Sequence, residues 1–130
     1  MIYRARTMDL LPEQAAAVCA VSLRAAAYVN AHYPGIRIEI LENVAGRRDQ
    51  IHMVTACSSL AALEAYEAQR AADPEWVALT HAVEALRGIV GMVDNLYRVL
   101  APPGGPDSAH EPFDVRHIPR DTTFVELIES

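Results

Sequence analysis

The hydrophobic pattern of this chain passes twice from the two-residue repeat of a strand to the near-four repeat of a helix and back. Residues 36–42, IRIEILE, alternate strictly: Ile36, Ile38 and Ile40 face one way, Arg37, Glu39 and Leu41 the other. Residues 2–8 predict a first strand, with Ile2, Arg4 and Arg6 on one side and Tyr3, Ala5 and Thr7 on the other. Between the two strands, Pro12 and Glu13 suit a helix's first turn, where a missing N–H costs nothing and a negative charge meets the dipole. Val18, Val21, Ala25 and Val29 continue that helix to about His32, and Pro34-Gly35 stops it.

Residues 44–49 form a polar turn, and residues 50–57 return antiparallel to complete a hairpin. Ser58 or Ser59 can cap the next helix, whose inner stripe is Leu60, Leu63 and Tyr66. Asp73-Pro74-Glu75 reads as a second cap with proline at the first helical position, restarting a helix that presents Trp76, Leu79, Val83 and Leu86. Gly88 is expected to end it, and residues 91–99 to form the fourth strand. The order β-α-β-β-α-β is the ferredoxin-like α+β unit, in which helices cover one sheet face and the other needs a partner or ligand. Left alone, that second face would expose Leu41, Met92 and Leu96.

Composition changes at residue 101. Residues 102–119 hold five of the eight prolines plus Gly104-Gly105, an extended arm, and residues 122–128 (TTFVELI) regain strand character. The expected organisation is a core domain over 1–100 and a C-terminal arm over 101–130, its extra strand pairing with an edge of its own sheet or a partner's. At 130 residues and 52% apolar content the chain can bury a core. No apolar run is long enough for a membrane span or a secretory signal, so a cytoplasmic protein without membrane contact is expected. Net charge is −6 and there is no lysine, which argues against nucleic-acid binding. Cys19 and Cys57 form no CxxC pair and read as free thiols.

The opening MIYRARTMDLLPEQ resembles the start of NIPSNAP-like domains, where an arginine-bearing strand precedes a proline at the helix entry. QIHMVTACSSLAALEAYEAQRAADPEW resembles the third strand and second helix of that group, and of the related antibiotic-biosynthesis-monooxygenase domains. Both belong to the dimeric α+β barrel superfamily, and the likeness spans about residues 2–99. It implies a homodimer in which two sheets pack face to face, with a pocket in each protomer between sheet and helices. The superfamily hosts cofactor-independent oxygenases, polyketide cyclases, haem-degrading enzymes and dehydratases. The haem degraders use an Asn on the first strand and a Trp and a His on the second helix. Here the first strand has no Asn, and Trp76 and His81 fall on different helix faces, so haem degradation is not implied.

Polar residues on strands that a barrel would bury are the site candidates. Arg4, Arg6, Arg37 and Glu39 are expected to share the face opposite Ile36, Ile38 and Ile40, joined from the fourth strand by Asp94 and Arg98. They would either pair at a dimer seam or line a pocket for an anionic or phenolate-like substrate, where guanidinium forks stabilise developing oxyanion charge. His52, within a core strand, is the candidate general base, with Asp94 the second catalytic candidate. Trp76 and Tyr97 can serve as core or stack on a flat substrate. His110 and His117, with Asp107, Glu111 and Asp114, match no zinc spacing, and no metal or cofactor is expected. The leading expectation is a cofactor-independent monooxygenase or cyclase acting on a hydrophobic aromatic or polyketide-like molecule. The alternative is a non-catalytic small-molecule-binding or structural dimer of the same fold.

Overall fold

The structure, a computed structural model, describes residues 1–100. The proposed arm over 101–130, its strand over 122–128 and the His110/His117 group lie outside the described residues. Four strands, β1 (Ile2–Leu10), β2 (Arg37–Glu42), β3 (Gln50–Cys57) and β4 (Ile89–Arg98), form one sheet in the order β2-β3-β1-β4. The helices are α1 (Ala15–His32), α2 (Leu60–Ala71) and α3 (Pro74–Leu86), with a 3-10 turn at Pro12–Gln14 leading into α1. This is the ferredoxin-like α+β fold the hydrophobic periods predict.

The core lies between one sheet face and the helices. Val18 and Val29 of α1 are fully buried and pack with Ile2, Met8, Ile38 and Ile51 from the strands. Burying each such side chain contributes roughly 1.5–3 kcal/mol. Thr55, within β3, is 1% exposed, and its hydroxyl finds no hydrogen-bond partner among the described residues. A buried orphan hydroxyl is costly, so Thr55→Val, which keeps the shape and removes the polar atom, should raise stability by about 1 kcal/mol in a denaturant titration. A loss of stability would mean that the hydroxyl is satisfied.

Helix junctions follow the caps read from the sequence. Ser59 Oγ accepts from Ala62 N at 3.1 Å, and Asp73 Oδ1 accepts from Glu75 N at 3.0 Å ahead of Pro74. The other Asp73 oxygen accepts from the phenols of Tyr28 (2.7 Å) and Tyr33 (2.6 Å), fastening the α2–α3 joint to the end of α1. Gly88 does not supply the left-handed residue that ends α3; Arg87 does, at φ 50°. Gly88 is needed for space instead, because a Cβ there would lie 2.7 Å from Gln14 Cβ and 2.8 Å from Val18 Cγ2.

The two sheet edges differ. At β2, the Asn30 amide of α1 donates to Ile38 O (2.9 Å) and accepts from Ile38 N (2.7 Å), occupying that strand's outer backbone. At β4 the residues Val90, Met92, Val93 and Leu96 are about half exposed or more.

Candidate functional site

Register decides which strand residues meet. Arg4 pairs with Thr55 and Arg6 with Met53, and across β3 the same two residues pair with Ile38 and Ile40. Directly opposed residues point to the same sheet face, so Arg4 and Arg6 stand on the helix side with Ile38 and Ile40. Arg37 and Glu39, opposite Ala56 and Val54, stand on the uncovered side. The expectation that all four share one face is therefore corrected: the structure divides them between the two faces. Ile2, Met8 and Leu10 share the parity of Arg4 and Arg6, and their burial turns that whole edge of β1 inward. Met92 and Leu96 are likewise exposed on the helix side of β4, not beside Leu41 on the open face: Met92 borders a cavity with Arg6, and Leu96 a cleft with Arg4.

On the helix side the arginines meet acids from two other elements. Arg4, only 6% exposed, pairs with Glu67 of α2. Arg6 binds Asp94 of β4 through both carboxylate oxygens, Nε–Oδ1 at 2.8 Å and Nη2–Oδ2 at 2.9 Å. A third guanidinium, Arg70 of α2, lies 4.8 Å from the ring centres of both Tyr66 and Trp76 and donates to the Tyr66 hydroxyl at 3.2 Å. Burial, reinforced by Arg70 and Arg6, holds the Arg4 guanidinium below its usual pKa. The hydrogen bond from Arg6 holds the Asp94 carboxyl below the ordinary carboxylate value, and the same bond raises Arg6.

Two hollows adjoin this cluster and share Arg6 and Trp76. The first is a cavity of about 250 Å³ between the sheet and α1 and α3, bordered by Met8, Met53, Leu79, Val83 and Met92. It exists because α3 contributes no fully buried residue, so its inner stripe stands off the sheet. The second is an open cleft of about 750 Å³ where Arg4, Glu67, Arg70 and Asp94 lie. An apolar cavity with a few convergent polar groups is the usual form of a small-molecule site. A further hollow of about 780 Å³ lies between α1 and the β2–β3 turn, beside Cys19 and Arg47, and includes none of the strand arginines.

His52 is not part of this cluster. It lies on the uncovered face, paired with Thr7 and Leu41. Its Nε2–H donates to Asn43 Oδ1 at 2.7 Å, since the Asn43 amide nitrogen is committed to Arg47 O and Gln50 Oε1. Nδ1 accordingly accepts from the Thr7 hydroxyl at 2.9 Å. Burial lowers the imidazole pKa from its usual 6.5. The folded protein thus resists protonation more than the unfolded chain does. Stability should be full above pH 6.5 and fall as acidification carries the pH down towards the lower folded value. Thermal melts of wild type and His52→Gln across this window check the sign: the slope should flatten in the variant, and an unchanged slope would remove His52 as its source.

Arg37 and Glu39 form an exposed pair at 3.2 Å on the same open face, a geometry worth about 0–1 kcal/mol. Tyr97, three positions from Asp94 on β4, falls by alternation on the face opposite Asp94. Of the sequence candidates, the structure brings together Arg4, Arg6, Asp94 and Trp76 and separates His52, Arg37, Glu39 and Tyr97 from them. From sequence alone Tyr66 reads as packing, and Glu67 and Arg70 do not stand out as site residues. The signal was present, because Leu63, Glu67 and Arg70 continue the inner stripe of α2 at helical spacing with charges where apolar residues are expected.

Fold and cavity together define a ferredoxin-like α+β protein with a ligand-sized hollow between sheet and helices. The chain belongs to the NIPSNAP family, whose family model matches residues 3–102. Among solved structures it is similar to a NIPSNAP domain protein from Burkholderia xenovorans, at 15% identity and a TM-score of 0.65, covering 78% of this chain and 99% of that one. A NIPSNAP family protein of unknown function from Agrobacterium tumefaciens is 22% identical with a TM-score of 0.61, covering 74% and 85%. SnoaB, a cofactor-independent oxygenase from Streptomyces nogalater, is 16% identical with a TM-score of 0.59, covering 77% and 93%. At these identities the likeness shows a shared fold. No curated protein matches the chain. Among the described residues, no helix is long and apolar enough to cross a membrane.

Proposed function

We propose that this protein is a cytoplasmic homodimer that handles a hydrophobic aromatic or polyketide-like molecule in the cavity between sheet and helices, oxidising or cyclising it by acid/base chemistry without a cofactor. One observation carries the reading: Arg6, tied to Asp94, enters a largely apolar cavity that also presents Trp76. The fold shared with a cofactor-independent oxygenase supports it as analogy.

A phenol or β-dicarbonyl oxygen arriving at Arg6 competes with Asp94 for the guanidinium. Once displaced, Asp94 loses the bond that holds its pKa down and becomes the stronger base. It takes the substrate proton while Arg6 stabilises the resulting enolate or phenolate. Oxidation of an activated CH2 then balances without any outside reductant: CH2 and O2 give C=O and H2O, and the substrate supplies all the electrons. His52 has no part in these steps, because it lies across the sheet with both nitrogens engaged.

The test is oxygen uptake with 1,8-dihydroxyanthrone, in protein freed of metal and flavin. One O2 consumed per quinone formed is the expected result. Binding without uptake would favour the alternative, a non-catalytic binding dimer, which has its own support in the two-oxygen grip of Arg6 on Asp94. Dimerisation has a separate check. The uncovered face carries Leu41 and Val54 beside the His52 network, and two copies stacked on that face would bury them further. Sedimentation at micromolar concentration should give a dimer; a folded monomer would contradict the face-to-face assembly.

A further inference from the structure

The three guanidiniums of the cleft are unequally served. Arg4 has Glu67, and Arg6 has both oxygens of Asp94, but among the described residues Arg70 makes no ion pair. Its only acceptor there is the Tyr66 hydroxyl, which leaves most of its five N–H donors unused. Glu64 also borders the cleft, yet it is exposed and pairs with none of the three. Three guanidiniums and three carboxylates thus border the cleft, and Arg70 is the one guanidinium there without an ion pair among the described residues.

The unpaired Arg70 guanidinium is held in place. The Arg70 plane is fixed by the Tyr66 and Trp76 rings, each 4.8 Å away, so little rotamer freedom remains to be lost when a ligand arrives. Trp76 also borders the apolar cavity, so one indole adjoins both the guanidinium and the hollow.

We infer that Arg70 is the receptor for a carboxylate on the ligand, so that the substrate class is an aromatic monoacid whose ring system fills the cavity and whose acid reaches past Trp76 into the cleft. This deepens the proposed function and rests on its cavity. The planar fork of Arg70 matches the two oxygens of a carboxylate. A phosphate dianion fits less well, because Glu64, Glu67 and Asp94 would repel its second charge and only one guanidinium lacks an acidic partner.

Calorimetric titration of 2-naphthoic acid, its uncharged amide and 2-naphthyl phosphate into the full-length protein tests the assignment. Wild type should prefer the acid to the amide by about 10–100-fold, the range for hydrogen bonds to a charged group. Arg70→Met should abolish that preference while leaving amide binding in place, which also shows that the cavity is intact. Arg70→Lys should restore part of it, the charge returning without the fork. Equal binding of acid and amide to wild type would overturn the role of Arg70 and leave the cavity standing. Tighter binding of the phosphate would overturn the monoanion class. No binding of any of the three would sink this inference and the cavity reading together.

Discussion

Asp94→Asn is expected to lower turnover of a phenolic substrate by about 10²–10⁴-fold, the usual worth of a positioned general base. The amide keeps the size and can still accept from Arg6, but it cannot take a proton, so binding should change far less than turnover. Because the Asp94 side chain is 41% exposed, the folded protein should survive the change with little loss of stability. Steady-state kinetics that separate kcat from KM decide it. A fall in affinity with kcat unchanged would assign Asp94 to positioning Arg6 and take away its role as base.

Glu67→Ala should be the most destabilising change in the charge cluster, by about 2 kcal/mol, and Arg4→Met should cost less than half of that. The asymmetry comes from burial. Arg4 has an 8% exposed side chain, and removing its partner leaves a guanidinium largely cut off from water beside two other cations, whereas Glu67, at 41%, can return to solvent. Met removes the buried charge together with the pair and fills much of the same volume. Denaturant unfolding of the two variants and the double mutant measures the coupling. Equal costs would mean that Arg4 is hydrated well enough to stand alone.

These expectations depend on which face each residue occupies, and that was only partly legible in the sequence. β2 could be read directly, because its isoleucines fall on one parity between charged neighbours and Ile38 is buried where that parity puts it. The caps at Ser59 and Asp73-Pro74 were legible for a similar reason: each is a local arrangement of side chain and backbone that needs no tertiary partner. β1 has apolar residues on both parities over 2–8. Its inward phase emerges only with Met8 and Leu10, the latter beyond the span first assigned to the strand. Within β3, Ile51, Met53 and Thr55 differ little in character from His52, Val54 and Ala56, so the side of His52 depended on pairing with Thr7 and Leu41, a long-range fact. The cavity itself was implied by the family resemblance. Its specific lining follows from α3 standing off the sheet, which its strong apolar stripe does not reveal.

We propose that the working site lies on the helix-covered face, between α3 and the strands β1 and β4. A crystal structure of the protein with bound 1,8-dihydroxyanthraquinone, the product form of the test substrate, examines it most directly. The ring system should occupy the cavity beside Trp76, Met53 and Leu79, with one of its oxygens within hydrogen-bond distance of the Arg6 guanidinium. Electron density for the ligand on the His52 side of the sheet, or in the hollow beside Cys19 with the sheet–helix cavity empty, would rule out that placement.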